Sequence, residues 1–352
     1  MTTEKTSQEA VRPTDSRYSR QIRFDSIGNL GQERIRAARI LILGVGALGS
    51  AVAEILARAG VGNLRLVDRD FVDLSNLQRQ SLFDEIDAKA GTPKVIAAKE
   101  HLARINSEVV VEAIIEDATP RTIERIVGGV DLVIDGTDNF ETRFLINDIC
   151  VRDRKPWIFG GCLGAEGQVA AIAPGKTPCL RCWMPAGPPE SHGTCDTVGV
   201  LGPIVQVIAA VEAAEAMKIV VGGPDQAFSG IQAFSLWEVS HRTIGTGEKG
   251  RNENCACCGK LQFNWLNASQ FGEAVSLCGR NSVQLTPGTP KNLDLEHVAE
   301  SIGQTSLIQC TRHLLRIQVE QFRITCFRDG RAIVEGTNDL GIARSLYSRF
   351  FG

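Results

Sequence analysis

Residues 40–68 read ILILGVGALGSAVAEILARAGVGNLRLVD, and the order of residue types in this stretch decides the fold. Positions 40–43 are a short apolar run of the kind that forms a buried parallel strand. The run ends in Gly44-Val45-Gly46-Ala47-Leu48-Gly49, after which Val52, Ile55, Leu56 and Ala59 recur at helical spacing. Residues 64–67 form a second strand, closed by Asp68. Strand, glycine turn, helix, strand and terminal acid make a βαβ unit of the dinucleotide-binding type. Gly44 permits the tight turn, Gly46 lets backbone N–H groups approach a phosphate, and Gly49 lets helix and strand pack closely. The helix N-terminus offers unsatisfied N–H groups and a positive dipole end to an anion. Asp68 stands where such folds place the carboxylate that holds a ribose hydroxyl.

The bulk composition narrows the class. The 352 residues, 43% of them hydrophobic, suffice for one large domain or two moderate ones. A net charge of −3 and a pI near 6.0 argue against a general nucleic-acid or membrane-surface binder. No apolar run approaches the length of a membrane span, and the opening MTTEKTSQEAVRPTDS carries no apolar signal region. The expectation is a cytoplasmic protein with a disordered leader over residues 1–15. Eleven cysteines is a high count, and their clustering in a reducing compartment argues for metal binding or catalysis rather than disulfides.

Downstream of Asp68, strands and helices alternate. Pro93 opens a helix over 94–105, followed by a strand at 109–115 and a helix at 119–127. A strand at 131–135 ends in Gly136-Thr137-Asp138-Asn139, and a helix over 140–152 follows. Strands at 157–159 and 168–173, an apolar helix at 204–221 and a strand near 234–237 complete the segment. This pattern predicts a doubly wound, mostly parallel Rossmann-like α/β sheet spanning residues 16–260. Ligands of such sheets lie at the carboxyl ends of the strands, so the glycine turn, Asp68 with its loop, and Asp138-Asn139 are expected to converge on one crevice. Residues 261–352 differ in composition and read as a small separate α+β domain. It has expected helices at 269–276, 295–302 and 340–350, and strands at 314–319, 322–327 and 331–334. The turn Arg328-Asp329-Gly330-Arg331 joins the last two strands as a hairpin.

Two knuckles, Cys179-x-x-Cys182 and Cys255-x-x-Cys258, each place two thiolates on one short turn. A tetrahedral four-thiolate zinc site needs two such pairs, so zinc is expected to tie the end of the core back onto its middle. Cys257 competes for the last position, but Gly259 directly after Cys258 suits a knuckle and favours Cys258. Cys195 stands apart in the glycine-rich loop His192-Gly193-Thr194-Cys195-Asp196 and is a candidate nucleophile or sulfur carrier. The remaining cysteines, among them Cys150, Cys162, Cys278, Cys310 and Cys326, read as small buried residues.

The expected crevice holds glycine-turn N–H groups, Asp68, Arg79, Lys94 and Asp138. Two cations suit a triphosphate better than the two-phosphate bridge of NAD, because they also stabilise charge that grows during displacement at phosphorus. Asp138 at a strand end is a natural Mg²⁺ ligand. The segments RYSRQIRF, GVGALG, VDRDFVDLSNLQRQ, GTPK, DGTDNFETR, CLRC, TCDTVGVLGP and CACCGK occur in the order and at roughly the spacing of the ThiF/MoeB/HesA family, adenylating enzymes related to ubiquitin-activating enzymes. The chain resembles that family from about residue 16 to residue 260.

The resemblance implies MgATP-dependent adenylylation of the C-terminal glycine of a ubiquitin-like sulfur-carrier protein of the ThiS or MoaD type, serving thiamin or molybdopterin synthesis. It implies that Gly44, Gly46, Ala47 and Gly49 line the nucleotide loop, that Asp68 binds the ribose and that Asp70 lies beside the site. Ser75, Asn76, Leu77, Gln78 and Arg79, with Lys94, would contact the nucleotide, Asn76, Arg79 and Lys94 at its phosphates. Asp138 would hold Mg²⁺ with Asn139 beside it, and Cys179, Cys182, Cys255 and Cys258 match the zinc ligands. Arg20, otherwise a solvated charge, matches an arginine that reaches into the partner subunit's site, which implies a homodimer. Cys195 matches the loop cysteine that some members use for sulfur chemistry, with a separate sulfur donor protein as a further partner. Residues 261–352 depart from the pattern: they are short for the rhodanese domain of fused members, and Leu277-Cys278-Gly279-Arg280 is the nearest to its cysteine loop. Adenylylation of a peptide or a tRNA base, and NAD(P)-dependent oxidoreduction, are the alternative readings.

Overall fold

The structure, a computed structural model, describes residues 17–185, 198–245, 252–267, 274–277, 281–287, 292–302 and 307–351. The chain begins with α1 (Ser19–Ile22) and α2 (Gly28–Ala37), then runs β1 (Arg39–Leu43), α3 (Ala47–Ala59) and β2 (Asn63–Val67). Next come α4 (Glu85–Ala90), α5 (Lys94–Ile105), β3 (Val110–Ile114), α6 (Ile123–Val127), β4 (Leu132–Asp135) and α7 (Phe140–Arg152). The first sheet is completed by β5 (Trp157–Leu163), β6 (Glu166–Ile172), α8 (Leu180–Trp183), α9 (Gly202–Gly222), β7 (Gly230–Ser235) and β8 (Ser240–Gly245).

These eight strands form one sheet in the order β3-β2-β1-β4-β5-β6-β7-β8. The expected parallel pairing holds from β3 to β5, where crossover helices connect the strands. Beyond β5 it does not continue: β6, β7 and β8 pair antiparallel, so the sheet is mixed, with four parallel pairings and three antiparallel ones. The reason is local. Only Gly164-Ala165 separates β5 from β6, and with Gly164 at φ +60° this connection can close a hairpin but cannot cross a sheet.

Both faces of the sheet are covered around β1, β4, β5 and β6, whereas β8 at the edge is exposed. On one, α3, α5 and α9 pack through Val52, Leu56, Leu102, Ile204, Ile208 and neighbours, all fully buried. On the other, α6 and α7 cover Leu41, Leu43, Val133 and Trp157. A fully buried side chain of this kind contributes about 1.5–3 kcal/mol relative to exposure, so each face is strongly specified. Two strand glycines make room for α9: a Cβ at Gly167 would lie 2.3 Å from Ile208, and one at Gly160 would lie 2.1 Å from Glu212 Oε1.

The tail forms a second, antiparallel sheet from β9 (Ala274–Leu277), β10 (Ser282–Leu285), β11 (Leu307–Cys310), β12 (Leu314–Val319), β13 (Phe322–Phe327) and β14 (Ala332–Glu335), ordered β11-β12-β13-β14-β10-β9. Helices α10 (Leu295–Ile302) and α11 (Leu340–Phe351) cover one face, burying Val283, Leu315, Ile317, Ile324 and Val334. The helix expected at 269–276 is replaced by strand β9 over its last residues, because pairing with β10 overrides local helix preference; residues 268–273 lie outside the described residues. Among the described residues no helix is long and apolar enough to cross a membrane. The expected leader, residues 1–15, and Cys195 and Cys278 lie outside the described residues. Cys150 and Cys326 are buried as expected, whereas Cys162 and Cys310 are only half-buried.

Candidate active site and metal centre

The site is built on three glycines whose backbones touch. Gly44 takes φ +84°, and a Cβ there would lie 2.7 Å from the Gly136 carbonyl group. A Cβ at Gly49 would lie 1.9 Å from Gly44 O, and one at Gly136 would lie 2.3 Å from the same oxygen. The turn after β1 and the turn after β4 therefore pack main chain to main chain. This contact brings the Asp138 loop beside the N-terminus of α3, where among the described residues a Cβ at Gly46 would come within 4 Å of the Gln80 amide nitrogen alone, at 3.9 Å.

Asp68, at the end of β2, closes the turn from the other side. Its Oδ2 accepts from Val45 N at 2.6 Å and its Oδ1 from Asp70 N at 2.8 Å. Burial pushes this carboxyl above its ordinary range, a shift that Lys94 opposes and Asp70 reinforces. Lys94 is buried at the start of α5, 6% exposed, with Nζ 3.4 Å from Asp70 Oδ2. Backbone bonds fix that approach: Lys94 N donates to Asp70 O at 2.9 Å and Val72 N to Thr92 O at 2.8 Å. Residues 70–72 and 92–94 thus form a two-rung ladder, bridged at Phe71 and Pro93.

The next loop is held by local caps. Asp73 accepts from Ser75 N, Ser75 Oγ donates to Asp73, and Asn76 Oδ1 accepts from Asp73 N. Against the upward push of burial, the bonds from Ser75 pull the Asp73 carboxyl down. Asn76 thus has a structural role as the return half of a capping box. Arg79 is half-buried and its Nη1 donates to Ser75 O at 3.0 Å. Leu77 is half-buried and Gln78 exposed, with Gln78 O 2.9 Å from where a Cβ of Gly202 would sit. On the opposite wall Asp138 is exposed, while Asn139 Oδ1 caps α7 by accepting from Thr142 N at 2.8 Å.

Two residues that sequence reasoning missed hold this wall, and a third lies buried beside them. Asp135 ends β4 fully buried, accepting from Thr137 N at 2.9 Å, Thr137 Oγ1 at 2.6 Å and Arg143 Nε at 3.0 Å. Arg143 Nη2 also donates to Thr137 O at 2.7 Å and Gly160 O at 3.0 Å. Burial pushes the Asp135 carboxyl up, against the pull of Arg143 and Thr137. Glu212 on α9 is fully buried beside this pair, and neither carboxylate oxygen has a hydrogen-bond partner among the described residues. Burial, reinforced by Asp135, pushes its carboxyl well above the ordinary range. A visible signal existed for Asp135 and Arg143: an acid ending an apolar strand, and an arginine on a helix with little polar face.

Arg20 is not brought to this crevice. It is exposed on α1, whose Gln21 donates to Ala59 O at 2.9 Å at the C-terminal end of α3. The glycine turn is at the other end of that helix, about 20 Å away at 1.5 Å per residue.

The two cysteine knuckles meet. Sγ–Sγ distances are 3.9 Å for Cys179–Cys182, 3.6 Å for Cys179–Cys255 and 3.4 Å for Cys182–Cys258. Tetrahedral thiolates about 2.3 Å from a zinc ion stand roughly 3.8 Å apart, so the four sulfurs fit that geometry. Cys182 is pulled well below the ordinary thiol range by hydrogen bonds from Cys179 and Cys258. Cys257 is not one of the four mutually close sulfurs; it is fully buried and accepts from Asn147 Nδ2 at 3.2 Å. Asn147 Oδ1 also accepts from Leu180 N at 2.9 Å, so one α7 side chain clips both knuckles. A Cβ at Gly259 would lie 2.1 Å from Glu253 O, which explains the glycine after the second knuckle. Helix α7 therefore joins the cysteine cluster to the Asp138 loop.

The family model described as the ThiF family matches residues 18–257. The chain belongs to the ThiF family. The sulfur carrier protein ThiS adenylyltransferase of Bacillus subtilis (strain 168) is 38% identical to this ThiF-family chain over 337 residues, 96% of this chain and 99% of that protein. The SAMP-activating enzyme E1 of Haloferax volcanii is 36% identical over 262 residues, 74% of this chain and 95% of that one. Among solved structures, E. coli MccB with ATP matches at a TM-score of 0.60 and 27% identity, covering 70% of this chain and 75% of MccB. The Bacillus match is long enough to take in most of the tail, which lies beyond the ThiF-family segment.

Proposed function

We propose that the chain adenylylates the C-terminal glycine of a ubiquitin-like sulfur-carrier protein of the ThiS or MoaD type, consuming ATP. The observation that carries this reading is the backbone junction of Gly44, Gly49 and Gly136, which gathers a phosphate-accepting turn, Asp68, the Asp70–Lys94 pair and Asp138 at adjoining strand ends. The names of the Bacillus and Haloferax relatives support the substrate class, and the MccB structure with ATP supports the nucleotide.

In the proposed reaction a carrier carboxylate oxygen attacks the α-phosphorus of ATP. The bond from that phosphorus to the bridging oxygen breaks, pyrophosphate leaves, and an acyl-adenylate remains. Two anions must meet, so catalysis rests on positioning and on cationic screening by Lys94 and Arg79, with no general base required. The α3 N-terminus and Gly46 N–H groups bind phosphate oxygens, and Asp68 orients the ribose. Asp138 fits a Mg²⁺ ion, being an exposed carboxylate on a loop that Asp135 and Arg143 hold in place. When bound, such an ion neutralises phosphate charge. Cys179, Cys182, Cys255 and Cys258 would hold a zinc ion in a structural role, because four thiolates would leave it no position for a substrate.

Arg20, remote from its own crevice, serves the partner's crevice in a homodimer. Cys195 acts after adenylylation, in sulfur chemistry, so Cys195→Ala is expected to spare the first step. The deciding assay is exchange of labelled pyrophosphate into ATP, dependent on a carrier ending in Gly-Gly. Tight NAD binding without any such exchange would overturn the proposal.

A further inference from the structure

The tail sheet has two faces, and the one turned away from α10 and α11 lies on the loop that carries Asp70 and on the segment that leads into Lys94. Alternation along β12 and β13 puts Leu314, Arg316, Thr325 and Phe327 on that face, opposite the apolar set of the tail's own core. The Arg316 guanidinium lies 4.7 Å from the centre of the Phe71 ring, and Phe71 packs on Phe327 with centroids 6.2 Å apart. The Arg331 guanidinium lies over the Phe327 ring, 5.3 Å from its centre.

The opposite strand of the ladder is held too. A Cβ at Gly91, directly before Thr92, would sit 3.2 Å from Leu314 Cδ2, and Gln309 Nε2 donates to Lys89 O at 3.0 Å. On the other side of Asp70, Arg69 Nη1 pairs with Asp117 Oδ2 at 2.7 Å, and Gln284 Nε2 from the tail donates to the same oxygen at 3.3 Å. Tail contacts therefore reach both neighbours of Asp70 and the approach to Lys94. None of them touches the crevice itself.

We infer that the tail is a brace for the nucleotide site: its sheet grips the ladder of residues 70–72 and 92–94 through Phe71 and Gly91, with Arg316 and Phe327 as positioning residues that set the Asp70–Lys94 pair against the phosphates. This rests on the adenylating reading above. Asp70 lies on the loop that follows β2, and Lys94 is the first residue of α5, reached through residues 91–93; connecting segments of that kind shift unless something outside them holds the backbone. The cation over the Phe71 ring and the ring packing on Phe327 supply that hold at the residue next to Asp70.

The test uses the full chain, titrated calorimetrically with ATP, together with hydrogen exchange of the Val72 and Lys94 amides, which make the two rungs. Arg316→Ala is expected to weaken ATP binding about two- to fivefold, the size of one part-buried cation–π contact. It should also speed exchange of those two amides while amides in β13 and the melting temperature stay as in wild type. Arg316→Lys, which keeps a cation over the ring, should recover at least half of the lost affinity. Should Arg316→Ala fail to fold, Phe327→Leu tests the brace through its other contact on Phe71, the ring packing, and is expected to speed exchange of the same two amides. Wild-type binding that Lys94→Ala abolishes and Arg316→Ala leaves untouched would overturn the brace alone. Wild-type protein that binds no ATP would overturn the adenylating reading and the brace with it.

Discussion

Replacing Arg143 by methionine removes the one cation from a buried arrangement that supports the Asp138 wall. The lost contacts are the 3.0 Å bond to Asp135 and the bonds to Thr137 O and Gly160 O at 2.7 and 3.0 Å. Asp135 has no exposed surface and Arg143 keeps 9% of its side chain exposed, so water cannot replace the guanidinium. Removing one member of a buried ion pair costs about 3–5 kcal/mol, and the two Thr137 donors left on Asp135 point to the lower part of that range. For a domain of this size the melting temperature of the core should fall by roughly 6–20 °C. The diagnostic variant is Arg143→Met combined with Asp135→Asn. The double substitution leaves no buried charge, so it should cost less than Arg143→Met alone even though it changes more atoms. Thermal unfolding followed by near-ultraviolet circular dichroism reads both, and pyrophosphate exchange should fall in each because Thr137 loses its anchor. A single variant melting within a degree of wild type, or a double variant less stable than the single one, would refute the assignment of this pair as the support of the wall.

Three further outcomes are expected. Glu212→Gln should raise stability in a pH-dependent way: the native pKa is raised, so the folded chain keeps a proton that the unfolded chain loses above about pH 4.3. The wild type therefore loses stability as pH rises from there, and the melting-temperature advantage of the variant should be absent near pH 4 and grow toward pH 7; an advantage that does not change with pH would contradict this. Asp138→Ala should abolish pyrophosphate exchange and leave melting unchanged, because the side chain is exposed; normal exchange would remove Asp138 from the mechanism. Cys182→Ser should release zinc, measured by elemental analysis, and lower stability, since metal binding free energy contributes to folding; metal content equal to wild type would argue against the four-thiolate site.

Much of the site was legible because its signals are local. The glycine spacing at residues 44–49 requires a turn that only glycine permits, and the structure shows why: backbone atoms occupy the space of the missing Cβ groups at Gly44 and Gly49. The cysteine knuckles were likewise visible as pairs, although their meeting across 76 positions needed the whole intervening segment to fold. The residues that went unread act at a distance. Asp135, Arg143 and Glu212 belong to three different elements, and no local signal showed that the sheet would bring them together. The antiparallel half of the sheet was missed for a similar reason. A strand pattern states burial, whereas direction is set by the length of the connection, here two residues between β5 and β6.

By itself the sequence determined where the tight turns, the charges and the cysteine pairs reside: a strand–turn–helix with three glycines, acids at strand ends, cations at Arg79 and Lys94, and two thiol pairs. These are properties of neighbouring residues, and steric limits on the backbone enforce them within one turn. Only the tertiary structure decided that Asp135 and Arg143 stiffen the Asp138 loop, that Arg20 lies a helix length from its own crevice, and that the tail presses Arg316 against Phe71. Those relations depend on which surfaces meet when apolar faces are buried, and no pattern along the chain encodes that meeting until the core has formed.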